Sequence, residues 1–286
     1  MDTGKGNVTD VKDKIQRLSN LPSLAVVKYQ LVKTLNRESA SINDISDIIR
    51  HDQAIASRVL AVANSAFLGF PGKIDALEQA IMLLGFDLVR SISLAASIFS
   101  VFASQYGNFK QMWAHSYIVG GLAARICDKT SGGDRSACFL AGLLHDIGRL
   151  TLFKIASDSS IDGEVQALLH MKGEDLLKAE SSLFHCNHTD AAKWFLDNLC
   201  FPADIIDPIE KHHGVISEGP NVKISNMIFL AEGLSDIICP QIVHDGQWSE
   251  AHQKLFHESG FGDADIEEIR TLAAAEQDEI AQFFDL

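Results

Sequence analysis

The sequence has 286 residues, of which 47% are hydrophobic, and a formal net charge of −14. This length and apolar content suffice for a sizeable core in one large domain or two small ones. The negative charge argues against a broad phosphate-binding surface, because nucleic-acid-binding proteins normally present a basic face, so no nucleic-acid partner is expected.

Cysteine usage and the apolar runs predict a cytoplasmic protein without a membrane anchor. The five cysteines form no C-x-x-C pair and are odd in number, which suits free thiols better than a disulfide framework. The N-terminal stretch is polar and lacks the apolar region of a signal peptide. The longest apolar run, "SISLAASIFSVFA", is too short and too serine-rich to span a membrane.

Charge is distributed unevenly along the chain. Residues 1–108 contain 11 Lys and Arg against 10 Asp and Glu, whereas residues 109–286 contain 13 against 28. This asymmetry, with the helical pattern described below, predicts four parts: a leading segment over 1–20, a helical half over 21–108, a second helical half over 109–242, and an acidic tail over 243–286.

In the first half, apolar residues recur at helical spacing and no stretch alternates as a strand would. The predicted helices are "LPSLAVVKYQLVKTLN", "SINDISDIIR" with Ser41 as N-cap, "DQAIASRVLAVANSAF" with Asp52 as N-cap, and "ALEQAIMLLGFDLVRSISLAASIFSVF". The last of these is interrupted near Gly85 and forms two helices. This half is therefore predicted to be an all-helical module.

Helices continue through the second half, so the whole chain is predicted to be all-α. They cover "KQMWAHSYIVGGLAARICDK", "ACFLAGLLHDIGRLTLFKIA", "GEVQALLHMKG", "DLLKAESSLF", "HTDAAKWFLDNL", "ADIIDPIEKHHG" and "ISNMIFLAEGLSDII". An amphipathic helix, "DADIEEIRTLAAAEQDEIAQFF", ends the acidic tail. The sequence contains no glycine-rich nucleotide-binding loop of the Rossmann or Walker type.

A set of histidines with one aspartate marks the second half as a candidate metal site. Imidazole nitrogens and carboxylate oxygens are ligands that suit zinc, iron, manganese or nickel, and thiolates are not required. The candidate ligands are His115, His145, Asp146, His188, His212 and His213.

Two pairs of adjacent residues in this set constrain its geometry. Neighbouring residues on a helix point about 100° apart, so His145 and Asp146 can meet at one ion only where the helix ends or is distorted. Gly148 would permit such a distortion. The second pair directly precedes Gly214, which we predict to be a helix C-terminal cap.

Each candidate ligand also has an ordinary structural interpretation. A single helical histidine such as His115 is commonly a hydrogen-bonded core residue. His188 could cap a helix N-terminus, and His212 and His213 could complement a helix dipole.

The order of these residues resembles the HD superfamily of metal-dependent phosphohydrolases, particularly the HD-GYP arrangement. Over residues 21 to about 235 the chain more specifically resembles HDOD-domain proteins, through "LPSLAVVKYQLVKTLN", "SINDISDIIRHDQAIASRVLAVANSAF", "ALEQAIMLLGFDLVRS", "MWAHSYIVGGLAARI", "AGLLHDIGRL" and "PIEKHHG". The resemblance implies an N-terminal helical subdomain packed on an HD-like helical bundle. It also implies a signalling or regulatory module, since most members are thought to lack catalysis.

Three further features qualify what the resemblance implies. Many HDOD members have lost the metal-binding histidines, whereas all six positions are intact here, which implies one or two divalent transition-metal ions of Fe, Mn, Zn or Ni. The superfamily's distal metal-binding aspartate aligns best with Glu232, and Asp236 lies one helical turn later. Active HD-GYP proteins carry "IGK" where this chain carries "IGR". Arg149 therefore replaces a lysine, and arginine can clamp a phosphate but cannot shuttle a proton.

Two functions remain open at this point. The favoured one is a non-catalytic regulatory module in which a metal ties helices together and the groove between the two halves binds a signalling protein or a small-molecule signal. The alternative is a metal-dependent phosphohydrolase acting on a nucleotide or phosphodiester, with Asp146 and Arg149 as catalytic residues. No GYP-like signature supports hydrolysis of cyclic dinucleotides, and the sequence does not indicate an oligomeric state.

Overall fold

The computed structural model of the chain describes residues 8–21, 53–103, 110–130, 133–157, 162–239, 248–276 and 280. Within these ranges the polypeptide forms fourteen helices and no strand, which confirms the predicted all-α class. The helices predicted over residues 22–50, with the caps Ser41 and Asp52, lie outside the described residues.

Two groups of helices follow one another along the chain. The first group consists of α1 (Val8–Ser19), α2 (Gln53–Ala63), α3 (Leu77–Leu84) and α4 (Phe86–Ala103). The second consists of α5 (Lys110–Thr130), α6 (Arg135–Leu144), α7 (Ile147–Ser157), α8 (Asp162–Leu168), α9 (Gly173–Phe184), α10 (His188–Asn198), α11 (Ala203–Glu210), α12 (Val222–Ile238), α13 (Glu250–Glu258) and α14 (Asp263–Ala274).

The predicted break near Gly85 is confirmed, and it turns the chain sharply. Gly85 has a φ of 77°, a left-handed conformation that glycine adopts without a side-chain clash, and its N–H donates to the carbonyl of Ile81. The segments on either side of it are bent by 113°. One apolar sequence therefore yields two helices, and the longer one, α4, packs against α6 and α2.

Helix α1 was not predicted, since only a leading segment was expected over residues 1–20. Its buried side chains are Val11, Ile15 and Leu18, whose spacing of four and three residues places them on one face. That face packs against α10 and α7. The same i, i+4, i+7 spacing is readable in the sequence and would have revealed the helix.

A continuous apolar stretch runs through α6 and α7. Residues Arg135–Ser157 are long and apolar enough to cross a membrane, but 94% of the apolar 18-residue segment within them is buried inside the protein. This stretch is accordingly a core element, with α6 packed against α5 and α7 packed against α10.

Helices α7 and α10 approach each other closely at Gly148. A Cβ atom built on this glycine would lie 1.8 Å from the carbonyl oxygen of His188 and 2.8 Å from the backbone nitrogen of Ala192. Both neighbours are main-chain atoms, which cannot swing aside as a flexible side chain could. The crossing therefore requires glycine at this position because no other residue fits the available space.

The acidic tail packs onto the rest of the chain through α13, which was not predicted, and α14. Helix α14 begins with the predicted amphipathic segment and ends at Ala274, before that segment does. Beyond it Glu276 is fully buried, and its Oε1 accepts hydrogen bonds from Ser65 Oγ at 3.0 Å and Phe67 N at 3.3 Å. These two hydrogen bonds therefore join the tail to the turn that follows α2.

His252 of α13 is a buried neutral imidazole. Its ring stacks on Phe229 with centroids 3.7 Å apart, and its Nδ1 accepts a hydrogen bond from Ser249 Oγ at 2.7 Å. Burial lowers the pKa of His252 to about 4, and this outweighs the opposing effects of the nearby Glu232 and Asp236 carboxylates. The packing of α13 against α12 therefore favours the uncharged form of the His252 ring.

We expect Gly148→Ala to destabilise the fold by about 3 kcal/mol or more, because the new methyl group would force α7 away from α10. The measurement is the free energy of unfolding in urea. Gly163→Ala in α8 is the matched control: a Cβ there meets nothing within 4 Å, so stability should stay equal or rise by up to about 1 kcal/mol. Equal behaviour of the two variants would contradict the interpretation.

We expect His252 to make the fold sensitive to acid. Because the folded-state pKa is lowered from 6.5 to about 4, the stabilising contribution is complete above pH 6.5 and is lost progressively as pH falls towards 4. The loss amounts to about 3 kcal/mol. Urea unfolding in the presence of a chelator across this pH range should show a shallower decline in the free energy of unfolding for His252→Gln than for wild type. His257→Gln, at an exposed position of the same helix, should decline as wild type does.

Candidate metal centre

His145 and Asp146 occupy the turn between α6, which ends at Leu144, and α7, which begins at Ile147. The expected helix interruption at this pair is therefore present. Gly148, which was expected to permit this interruption, lies inside α7 and makes the close crossing with α10 possible. The turn allows the two neighbouring side chains to converge, as a continuous helix would not.

The first group of candidate ligands joins three parts of the chain. His115 comes from the middle of α5, His145 and Asp146 come from the turn, and Glu232 comes from α12. Glu232 Oε2 lies 3.0 Å from His115 Nε2 and 2.9 Å from His145 Nε2, and the two nitrogens are 3.2 Å apart. Nitrogen and oxygen ligand atoms thus face one common point.

The second group consists of His188, His212 and His213, whose ligand atoms lie close enough to share one ion. His188 is the first residue of α10, but the N-cap is Asn187, whose side chain accepts from Thr189 N and Asp190 N. The Nε2 atoms of His188 and His213 are 2.8 Å apart.

His212 and His213 follow the end of α11. The prediction that Gly214 caps this helix is wrong: the cap residue is Lys211, and Gly214 does not adopt the left-handed conformation. The two histidines lie in the turn directly after this cap, with ring centroids 4.1 Å apart. A turn at this point again lets consecutive side chains face the same space.

Asp146 lies between the two groups. Its Oδ2 is 3.8 Å from His145 Nε2, and its Oδ1 is 3.8 Å from His188 Nε2. The carboxylate is buried, and among the described residues Oδ1 accepts no hydrogen bond. A buried carboxylate oxygen without a donor needs another positive partner, which a cation would supply.

Hydrogen bonds on the far side of the rings orient the histidines. Nδ1 of His145 lies 2.7 Å from Gly142 O, and Nδ1 of His212 lies 2.6 Å from Ile209 O. A carbonyl only accepts, so each Nδ1 carries the proton and each Nε2 presents its lone pair to the centre. Such outer partners are typical of metal-binding histidines.

Two further outer partners are side chains, and neither was predicted from the sequence. Ser235 Oγ lies 3.4 Å from His115 Nδ1, and Glu180 Oε2 lies 2.7 Å from His188 Nδ1. Neither belongs to a ligand motif. Glu180 nevertheless left a readable signal, because it interrupts the apolar stripe that Leu176 and Phe184 define on α9.

Formal charge in the centre is strongly negative. Asp146, Glu180 and Glu232 are each at most 2% exposed, and among the described residues Arg149 is the buried cation that contacts one of them. These three carboxylates and one guanidinium give −2 when the histidines are neutral. Unbalanced charge of this size is very costly in a protein interior, so the centre must take up protons or cations.

Arg149 and Asp236 are both committed to protein contacts. Arg149 is fully buried, and its Nη1 donates to Asp146 Oδ2 at 3.0 Å. Asp236 accepts from Lys172 Nζ and from Trp248 N, each at 3.0 Å. Glu232 is therefore the α12 carboxylate that reaches the histidines, whereas Asp236 fastens α12 to its neighbours.

The all-helical fold and the paired His-Asp turn surrounded by further histidines define a protein of the HD superfamily type. A family model for the HDOD domain matches residues 21–215. The chain belongs to the HDOD family.

Solved structures share this fold. An HDOD domain protein of unknown function from Geobacter sulfurreducens is 21% identical with a TM-score of 0.68, covering 94% of this chain and 99% of that one. A Marinobacter aquaeolei VT8 protein, provisionally assigned to signal transduction, is 19% identical with a TM-score of 0.68, covering 99% and 67%. A Shewanella amazonensis SB2B protein, provisionally assigned as a metal-dependent phosphohydrolase, is 18% identical with a TM-score of 0.65, covering 94% and 98%.

Curated relatives are longer than this chain. An uncharacterised protein of Treponema pallidum is 22% identical over 203 residues, which are 70% of this chain and 39% of that protein. The uncharacterised protein YuxH of Bacillus subtilis is 26% identical over 145 residues, 49% of this chain and 36% of that protein. The chain therefore spans well under half the length of these relatives.

Proposed function

We propose that this chain is an HDOD regulatory module whose histidine and carboxylate cluster holds one or two divalent transition-metal ions in a structural role. The observation that carries the proposal is the mutual approach of His115 Nε2, His145 Nε2 and Glu232 Oε2 at 2.9 to 3.2 Å. The outer contacts of the two rings direct their lone pairs inward. Three lone pairs that face one another repel unless a cation or proton lies among them.

Metal ions fit this centre better than protons alone. One ion would be held by His115, His145, Asp146 and Glu232, and a second by the group of three histidines on the other side of Asp146. Imidazole and carboxylate ligands without a thiolate suit Fe, Mn, Zn or Ni. Divalent charge also balances the formal −2 of the buried carboxylates and Arg149.

A metal here would act as a cross-link of the fold. Its ligands come from α5, the turn between α6 and α7, the start of α10, the end of α11, and α12. The chain segments that supply them are far apart in sequence. Metal binding would therefore contribute directly to the free energy of folding.

Burial of the centre argues for this structural role over catalysis. Of the six candidate ligands first identified in the sequence, five are buried, and His213 is the partly exposed one. Arg149 is fully buried against Asp146 and would have to leave that carboxylate before it could contact a phosphate. A substrate would need the helices to separate before its phosphate could reach the ligands.

The regulatory part of the proposal includes a partner, either a signalling protein or a small-molecule signal, bound between the two groups of helices. Support comes from the family itself and from the fold shared with the provisionally assigned signal transduction protein of Marinobacter aquaeolei. The greater length of the curated relatives fits a module that works together with other parts of a protein.

Metal-dependent phosphohydrolysis is the second candidate function. It is favoured by the complete ligand set, in which a first triad of His115, His145 and Asp146 lies beside a second triad of His188, His212 and His213, and by the fold shared with the Shewanella protein. A bound ion would supply an activated water by lowering its pKa. Asp146 would then hold the ions together, and Arg149, once released, would steady phosphate charge.

Elemental analysis of protein never exposed to chelator tests the structural metal. We expect one to two equivalents of metal in wild type. Asp146→Ala should lose all bound metal, because this carboxylate belongs to the first triad and faces the second. Asp236→Asn should keep its metal, since that residue lies on the same helix as Glu232 but contacts Lys172 and Trp248. Wild-type protein without metal would contradict the proposal.

Removal of the metal should also lower stability. A ligand present at 1,000 times its dissociation constant adds about 4 kcal/mol, so EDTA should reduce the unfolding midpoint of wild type markedly and that of Asp146→Ala little. A panel of phosphomonoesters, nucleotides and phosphodiesters decides between the two functions. We expect no turnover above that of Asp146→Ala, whereas turnover that this substitution abolishes would favour the phosphohydrolase.

A further inference from the structure

Glu180 is a buried carboxylate bound to the first residue of α10. Its Oε2 accepts a hydrogen bond from His188 Nδ1 at 2.7 Å and another from His188 N at 2.9 Å. Both His188 and Glu180 are fully buried. The ring and the backbone of one candidate ligand are thus fixed by a single oxygen atom.

This contact differs in kind from those of the other histidines with a defined outer partner. Nδ1 of His145 and of His212 each faces a neutral backbone carbonyl, and Nδ1 of His115 faces the hydroxyl of Ser235. Among the described contacts of these four, the Nδ1 of His188 is the one that faces a carboxylate. A charged acceptor makes a stronger hydrogen bond and increases electron density on the opposite ring nitrogen.

The two triads also differ in their own charge. The first includes Asp146 and lies against Glu232, whereas the second consists of three imidazoles. Asp146 reaches the second triad only through Oδ1, at 3.8 Å from His188 Nε2. In the part of the chain that the structure describes, a cation among these three neutral rings would have no carboxylate of its own, and Glu180 is placed directly behind one of the rings.

Burial of Glu180 is tolerated because of where it lies. The N–H of the first residue of a helix has no partner within the helix, and the helix N-terminus carries a partial positive charge. Glu180 satisfies that N–H of His188 and lies at this positive end of α10. The fold therefore holds a negative charge at a place where it can act on the ring.

We propose that Glu180 is the positioning residue of the second triad. It fixes the tautomer of His188 so that Nε2 faces the ion, and it supplies the negative charge that the three imidazoles lack. This inference depends on the proposed metal-binding function. It adds that the two metal sites are unequal, and that one of them is controlled by a residue that touches no ion.

Metal titration of variants tests the inference. Metal-free protein is titrated with Mn²⁺, and free and bound ions are counted by electron paramagnetic resonance. We expect Glu180→Ala to weaken one of the two sites by about 10- to 100-fold and to leave the other unchanged. Glu180→Gln should lie between this variant and wild type, because its amide oxygen still accepts from Nδ1 but carries no charge.

Two controls assign the effect. Glu174→Gln removes an exposed carboxylate of the same helix, 84% exposed and paired with Lys178, and should bind both ions as wild type does. His213→Ala removes a ligand of the second triad. Adding Glu180→Ala to it should cause no further loss at the remaining site, and a further loss there would overturn the assignment to the second triad.

Failure of the inference and failure of the proposed function give different results. If wild type and Glu180→Ala both bind two ions with equal affinity, Glu180 has no positioning role, although the metal sites stand. If wild type binds no Mn²⁺ and carries no metal as purified, the proposed function fails, and the charge role of Glu180 fails with it.

The orientation of the His188 ring can be tested in the metal-free protein. ¹⁵N spectra of the metal-free protein, with the His188 signal assigned by its loss in His188→Gln, should show a protonated Nδ1 and an unprotonated Nε2. Glu180→Ala should alter this pattern, and an unchanged pattern would overturn the orienting role. Circular dichroism verifies the folding of each variant. If the alanine variant does not fold, the Mn²⁺ titration of Glu180→Gln carries the test of the charge role, and wild-type affinity at both sites would overturn it.

Discussion

The centre of this protein is organised by histidine nitrogens and a carboxylate oxygen that face one another at hydrogen-bond distance. Helix α5 and helix α12 deliver His115 and Glu232 to His145, and outer hydrogen bonds hold the rings so that the same nitrogen points inward each time. Such a cluster is stable only with positive charge at its middle. The candidate ligands come from separate segments, so a cation that satisfied them would also join the helices, as the proposed structural role requires.

Much of the architecture could be read from local pattern. Helical periodicity depends on neighbours three and four residues apart, so the all-α class and the break at Gly85 were accessible from the sequence. The same holds for the interruption at His145, since adjacent ligands demand one. The sequence shows Glu180 within an apolar stripe but not its partner, because the contact with His188 depends on how α9 turns back onto α10. The role of Gly148 in the helix crossing was hidden for a similar reason, since the atoms that exclude a side chain there belong to another helix.

The centre extends beyond the stretch that defines the family. The matched residues end at 215, yet Glu232 lies further along, on α12. The segment that follows supports this helix from behind, where His252 stacks on Phe229 and Trp248 N donates to Asp236. The acidic tail is therefore structural support for one side of the centre, and its composition alone, rich in charge and poor in motifs, gave no indication of that.

The crossing at Gly148 has a consequence for how relatives are compared. The space there is closed by main-chain atoms of α10, which are present whatever side chains that helix carries. A descendant that had exchanged every imidazole for another residue would still be held to glycine by the backbone. Retention of this glycine across a lineage therefore reports that two helices still touch, and it says nothing about whether the neighbouring residues can bind an ion.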